Sequence, residues 1–402
     1  MTWQVINGNN IDILKKYDDD TFDSIVTDPP YGIEFLGKDW DKNTGAMETW
    51  QECFRVLKPG GHLLAFSAAR TYHHLATNIE MAGFEIRDQL MWLYGTGFPK
   101  SSDVGKKIQK RQGVEEYGDF VDTTKNVGFG MTDHQRVKAG VEWSTKATKV
   151  GSVKCTSPEA KQWEGWGTHL KPAHEPIVMA RKPFKGSTVD NVLEHGTGAL
   201  NIDASKIGNE SRFPSNVIID EEAGAMLDAQ APKTGNGHRA KTKVTGYGKF
   251  GGGSSSYAGA GEKVDGLSGA SKFFYCPKVS RAERHVGLEK MPEAVFGDVK
   301  GCYDDGKRFA SKHQELQSLG NNHPTVKPVE LMKYLIRLVT PENGKVLDPF
   351  NGSGSAGMAC VELGHDYVGC ELDPEYVEIS KKRISAWQEK YNTDLFEYKG
   401  VI

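Results

Sequence analysis

Long apolar runs are missing from this 402-residue sequence. No stretch approaches the ~20 residues that a membrane-spanning helix needs. The N-terminal MTWQVINGNN has neither the basic nor the apolar part of a secretory signal, and it is not a transit peptide. A cytoplasmic location and no membrane partner are therefore expected. Cysteine is also scarce. The six (Cys53, Cys155, Cys276, Cys302, Cys360, Cys370) are scattered, with no C-x-x-C. That excludes a disulfide scaffold and a zinc ribbon and fits reduced thiols. His285, His313 and His323 lie near Cys276 and Cys302 without ligand spacing, so no metal is expected. No internal repeat is present.

A surplus of charge of one sign is nearly absent overall, with a net charge of −3, but not locally. Residues 1–40 hold eight acids against three lysines, whereas residues 231–285 hold ten bases against three acids. The second stretch, with Lys241, Lys243 and Lys249 beside Tyr247, Phe250 and Tyr257, suits a polyanion or a solvated loop. The glycine-rich GYGKFGGGSSSYAGAG (246–261) inside it is low in complexity.

What is present is α/β alternation at both ends. WQVIN, FDSIVTDPP, HLLAFSA and FEIRDQLMWLY read as strands in the first 95 residues. Between them, Met47, Trp50, Phe54 and Leu57 recur at helical spacing, and Pro59-Gly60-Gly61 is read as a stop. EPIVMARKP reads as one more strand. Residues 95–170 and 185–320 show no sustained period, apart from short apolar pieces such as NVIID and KFFYC. Order returns with a helix after Pro328, strand KVLDPF, a glycine loop, strand DYVGCEL and a last helix carrying Val377, Ile384, Trp387 and Tyr391.

The glycine loop Gly352-x-Gly354-x-x-Gly357 follows a strand and opens a helix, the pattern of a nucleotide-binding turn. Only one strand and one helix follow it, too little to complete a sheet. The C-terminal strands are therefore expected in the middle of a sheet whose other strands come from residues 1–95. The ligand would bind at the carboxyl ends of the strands, where their order reverses. Those ends carry Asp348, Glu371 and Asp28-Pro29-Pro30-Tyr31. The prolines offer carbonyls and no N–H. Asp28 and the Pro29 carbonyl suit the two hydrogens of an exocyclic amine, and Tyr31 suits the ring that bears it.

These residues resemble the amino-DNA methyltransferases that use S-adenosylmethionine, in the permuted order called the β class. Within that class the chain is most similar to stand-alone enzymes of phages and prophages. The matching motifs are Asp28-Pro29-Pro30-Tyr31, Asp348-Pro349-Phe350-x-Gly352-x-Gly354, Glu371 after the next strand, and NNHPTVKP (321–328) before the cofactor loop. The resemblance implies a doubly wound, mostly parallel Rossmann-like sheet in permuted order. Residues 1–95, 170–185 and 320–402 would form the catalytic domain. Residues 96–169 and 186–319 would be variable, irregular insertions for target recognition.

The resemblance also implies roles. Asp28 and Pro29 would hold the target amine, with Pro30 fixing the turn and Tyr31 stacking on the extruded base. Trp92 would help line the base pocket. The methionine end of S-adenosylmethionine would meet Asp348, Phe350, Gly352, Gly354, His323 and Thr325, and Glu371 would bind its ribose. Asn9 stands where the family often has an acid near the cofactor adenine. The partner would be double-stranded DNA, bound by a monomer or homodimer, with the base flipped out and no metal used.

Asp28 favours N6 of adenine, since enzymes acting on N4 of cytosine more often carry serine there. N4-cytosine, RNA or protein amide methylation, an NAD-linked oxidoreductase and a non-catalytic DNA-binding protein are the alternatives. No nuclease motif is present, so a linked restriction activity would need another chain. Neutralising Lys241, Lys243 and Lys249 together should weaken DNA binding and flatten the dependence of log K on log salt, by up to about 0.9 for each phosphate left without its lysine. An unchanged slope in a salt titration would take these lysines off the phosphates.

Overall fold

All six residues of strand β2 (Phe22–Thr27) are buried, as a strand needs to be when helices cover both sheet faces. The computed structural model describes residues 1–33, 41, 43–95, 97, 101–113, 154–208, 211–231, 270–275, 277, 282–288, 321, 323 and 325–399. Lys241, Lys243, Lys249 and the glycine-rich segment lie outside the described residues.

The chain divides into two compact units, 1–96 with 174–402, and 97–173. The first is built on an eight-stranded sheet. Its strands are β1 (Trp3–Asn7), β2, β3 (Leu57–Phe66), β4 (Glu85–Leu93), β5 (His174–Arg181), β6 (Val217–Ile219), β7 (Lys345–Asp348) and β8 (Asp366–Glu371). Their order is β1-β8-β7-β2-β3-β5-β4-β6. Neighbours pair in parallel except where β5 runs antiparallel to β3 and β4. The C-terminal strands thus lie between β1 and β2, as the short chain after the glycine loop required.

Side-chain alternation along the strands divides the interior into two cores. Val26, Leu64, Val346 and Tyr367 share one core with residues of the helices Val329–Val339, Ser355–Leu363 and Pro374–Lys399. Ile25, Leu63, Leu347 and Val368 share the other with residues of the helices Asn10–Leu14, Met47–Val56 and Tyr72–Met81. C-terminal helices cover one face and N-terminal helices the other. From β7 the chain steps to β8, and from β2 it steps the opposite way to β3. Strand order therefore reverses between β7 and β2, which opens a crevice at their carboxyl ends.

Two expectations change. Pro59-Gly60-Gly61 does not precede β3 but lies within it. The Gly60 amide donates to the Lys182 carbonyl and the Lys182 amide to Gly61, both at 2.9 Å, which extends the β3–β5 ladder across the turn signal. Segment 186–319, read as an irregular insertion, contributes β6 and the helices Thr188–His195 and Glu221–Gln230 to the first unit. The apolar NVIID forms β6 beside β4, and Tyr275 of KFFYC bridges to Ile218.

In the second unit, Asp103 caps the helix Val104–Arg111 and Ser157 caps the helix Pro158–Gln162. The buried Gln109 side chain accepts the Thr156 and Ser157 amides there. Among the described residues no helix is long and apolar enough to cross a membrane.

The helix Ser355–Leu363 meets the helix Pro374–Lys399 through glycine. A Cβ on Gly357 would lie 2.5 Å from Ile384 Cδ1 and 2.9 Å from the Tyr367 ring. Gly357→Leu should therefore cost about 1–3 kcal/mol or more through overpacking. A lowered urea midpoint checks this, and an unchanged midpoint would mean that the two helices separate freely.

Candidate active site

The carboxyl ends of β2 and β7 are tied together below the surface. Thr27 Oγ1 donates to Asp348 Oδ1 at 2.6 Å. Asp348 also accepts the Phe350 amide at 3.1 Å and the Tyr367 hydroxyl at 3.4 Å, and it is only 3% exposed. Burial pushes its carboxyl up to about 7, against the lowering effect of Thr27 and the Phe350 amide. Asp348 is thus an organiser of the loop it opens. The Phe350 ring rests 5.7 Å from the Trp50 ring.

Beyond Phe350 the glycines divide their work. Gly352 has φ +52, and a Cβ there would lie 2.9 Å from His323 Nε2. Gly354 has φ +84 and caps the next helix, and its missing Cβ faces Ser380 and Ile384. Close packing on the last helix therefore accounts for Gly354, while Gly352 admits the His323 imidazole. Glu371, at the end of β8, accepts the Gly352 amide at 2.7 Å and the Asp373 amide at 2.9 Å. Burial raises its carboxyl. Asp373 in turn accepts the Glu375 amide and caps the last helix.

His323 is held by four contacts. Its backbone amide donates to Asn321 Oδ1 at 3.0 Å, and its carbonyl accepts from Arg284 at 2.9 Å. Its ring meets Tyr376 edge to face at 4.7 Å. The Thr325 amide donates to its Nδ1 at 3.4 Å. Burial lowers its imidazole to about 4, so the ring is neutral near pH 7, with the proton assigned to Nε2. Arg383, fully buried, donates to the Ser353 carbonyl and hydroxyl and to the Glu283 carbonyl. Among the described residues, three buried polar atoms in this region lack a hydrogen-bond partner: Asn321 Nδ2, Ser355 Oγ and Arg383 Nε.

The Asp28-Pro29-Pro30-Tyr31 turn leaves β2 beside this loop. Its shape is set by Asp41, which accepts the Tyr31 amide at 2.6 Å, the Gly32 amide at 2.9 Å and the Ile33 amide at 3.3 Å. The Tyr31 hydroxyl lies 2.9 Å from Asp28 Oδ1 and 2.9 Å from Glu175 Oε2. Lys327 lies 2.7 Å from Asp28 Oδ2, 3.0 Å from the Tyr31 hydroxyl and 3.3 Å from Glu175. Desolvation and the two carboxylates hold the Tyr31 hydroxyl well above its ordinary range. Burial disfavours the Lys327 ammonium, but Asp28 and Glu175 outweigh it and raise that group.

Trp92 pairs across the β4–β5 ladder with Glu175, so the two side chains share a sheet face. Its ring meets Phe66 edge to face at 6.5 Å and Tyr94 at 5.5 Å. Among the described residues its buried Nε1 has no hydrogen-bond partner. Asn9 is exposed and caps the first helix by accepting the Ile11 amide. Its neighbour Asn10 donates to the Pro349 carbonyl at 3.1 Å and accepts from Thr49 at 3.0 Å, which ties the N-terminus to the glycine loop.

Asp28, Pro29, Pro30 and Tyr31 thus stand in one turn, with Asp348, Phe350, Gly352, Gly354 and Glu371 on adjoining strand ends. His323 and Thr325 join them through the segment before the helix Val329–Val339. Lys327, Glu175, Asp41 and Asn10 were missed. Lys327 had a signal: a lysine between valine and proline, entering an apolar helix. Asp41 had none, because its partners are backbone amides.

The family model described as DNA methylase, covering N6 and N4 amino methylation, matches residues 22–382. The chain belongs to this DNA methylase family. A Type II methyltransferase of Haemophilus influenzae, M.HindIII, is 22% identical over 94% of this chain and 94% of its own length. A Type II methyltransferase of Lactococcus lactis, M2.LlaDCHI, is 34% identical over 26% of this chain and 38% of its own. The solved PvuII DNA methyltransferase, cytosine-N4-specific, superposes with a TM-score of 0.44 at 12% identity, covering 98% of this chain and 92% of that one. Among the described residues of this methylase no cluster of three or more potential metal ligands occurs.

Asp348 generates a pH prediction. Its folded value of about 7 lies above the ordinary 3.8, so folding takes up a proton between these values. The stability it contributes is complete below about pH 4 and is lost as pH rises through 7. Asp348→Asn keeps an oxygen for Thr27 but cannot ionise. Its melting temperature should decline less than that of the wild type from pH 5 to 8. Parallel declines would mean that Asp348 is already ionised at pH 5.

Proposed function

We propose that this methylase transfers a methyl group from S-adenosyl-L-methionine to the N6 amine of an adenine flipped out of duplex DNA. The observation that carries the reading is the Thr27–Asp348 bond at the sheet's reversal point, which makes the amine-binding turn and the glycine loop immediate neighbours. The order of the motifs along the chain agrees with the permuted β class.

The residues around the loop fit the cofactor. Glu371 uses each oxygen for one amide and keeps further lone pairs for two ribose hydroxyls. Asn321 Nδ2 and Ser355 Oγ, polar atoms without partners among the described residues, lie near the place where the amino-acid end would lie. Phe350, Gly352, His323 and Thr325 would shape that end, with Asp348 holding the loop and Asn9 near the adenine. Bound there, the cofactor supplies an electrophilic methyl carbon on a sulfonium.

Asp28 Oδ1 or Oδ2 and the Pro29 carbonyl would accept the two hydrogens of the amine. Its lone pair is conjugated with the ring in the ground state. Two acceptors favour the pyramidal geometry in which that pair points at the methyl carbon. Attack would form the N–C bond as the C–S bond breaks, leaving the sulfur neutral, and the nitrogen would then release one proton to solvent water. Tyr31 would stack on the base, its hydroxyl anchored by Asp28 and Glu175, and Trp92 would line the pocket behind it. Positioning and exclusion of water supply the acceleration.

Product analysis tests the reading. Duplex DNA methylated by the protein should yield N6-methyladenine on digestion to nucleosides, and Asp28→Ala should abolish transfer while cofactor binding survives. N4-methylcytosine would overturn the choice of base. Retained turnover in Asp28→Ala would remove Asp28 from the chemistry.

A further inference from the structure

One charged side chain, Lys327, touches the amine-binding turn without a role in methyl transfer. Lys327 is 6% exposed, and its ammonium reaches Asp28 at 2.7 Å and Glu175 at 3.3 Å. The Tyr31 hydroxyl lies 2.9 Å from both carboxylates, yet has one proton and can donate to only one at a time. The Phe66 ring closes the site, with Lys327 Nζ 5.0 Å from its centroid. Tyr94 and His323 also face this cluster, and both are neutral near pH 7. Asp348 is a further acid within electrostatic reach of Asp28, and the Asp41 carboxylate holds the amides of the same turn.

Two carboxylates sharing one phenol in a half-buried site repel each other. Removing the cation would leave that repulsion without an offset and so favour protonation of one of them. A protonated Asp28 would offer a donor where the target amine needs an acceptor. With Lys327 in place, the cluster of Asp28, Glu175 and Lys327 carries one net negative charge. During methyl transfer the amine nitrogen gains one positive charge, so the site meets the developing charge with its opposite.

We propose that Lys327 is a positioning residue for methyl transfer: with Glu175 it sets the charge of the amine site, keeping both carboxylates ionised so that Asp28 accepts the target amine. This rests on the assignment of Asp28 to that amine. The arrangement joins three distant parts of the chain, so no local motif reports it.

The test is single-turnover methyl transfer to duplex DNA from pH 5 to 9. It compares the wild type with Lys327→Met, Lys327→Gln and the double variant Lys327→Met/Glu175→Gln, with melting curves to verify folding. Loss of the ammonium should move the acid limb of the rate profile up by about one to three pH units. The double variant removes the competing carboxylate, so its limb should return toward the wild-type position. A purely structural Lys327 would instead lower the rate equally at every pH, and the double variant would fare no better than the single. Either a folded, active Lys327 variant with an unmoved acid limb or a double variant without recovery overturns the proposal. Failure of the wild type to methylate DNA would instead overturn the functional reading beneath it.

Discussion

The hydrogen bond from Thr27 to Asp348 is the contact on which the site depends. It spans 321 positions of sequence and 2.6 Å of space. Both residues end strands that pair in parallel at the centre of the sheet, where the chain steps away in opposite directions. A crevice must open there, and both carboxylate-bearing loops must lie at its lip. The bond is buried, so water does not compete for it and the relative height of the two loops is fixed.

Around that bond the protein accepts several buried charges. Asp348 and Glu283 are pushed up to about 7 by burial, and Arg383 down to about 10. Burying a charge is costly unless it is paired and hydrogen-bonded. Here these groups hold backbone amides and carbonyls: Asp348 the Phe350 amide, Glu283 the Val329 amide and Arg383 the Ser353 and Glu283 carbonyls. Arg383 grips Ser353, Asp41 gathers three successive amides of the amine turn, and Glu371 spans Gly352 and Asp373. Loop backbone is thereby held by mostly buried side chains, which is how a scaffold holds a reactive geometry.

The division of the glycines follows the same logic. One fingerprint read as a single ligand-binding feature serves two purposes. Gly352 makes room for His323, whereas Gly354 and Gly357 let the helix Ser355–Leu363 lie close on the last helix. The spacing of glycines signals that something approaches the backbone. It does not say whether that is a ligand, an imidazole or a helix.

The sequence by itself determined most strands, the helices between them, and the need for the C-terminal strands to sit inside the sheet. Those features follow from local periodicity and from counting the strands available after the glycine loop. It also determined the chemistry-bearing turn at Asp28 and the loop at Asp348, because proline and glycine constrain backbone wherever they stand. Only the tertiary structure decided that β3 runs through Pro59-Gly60-Gly61, since the pairing with Lys182 is made by a strand more than a hundred positions away. Only it brought Lys327, Glu175, Tyr31 and Asp28 into one cluster. Electrostatic and hydrogen-bond partners are chosen by distance in space, and a linear pattern carries that distance only within a helix turn or a strand pair.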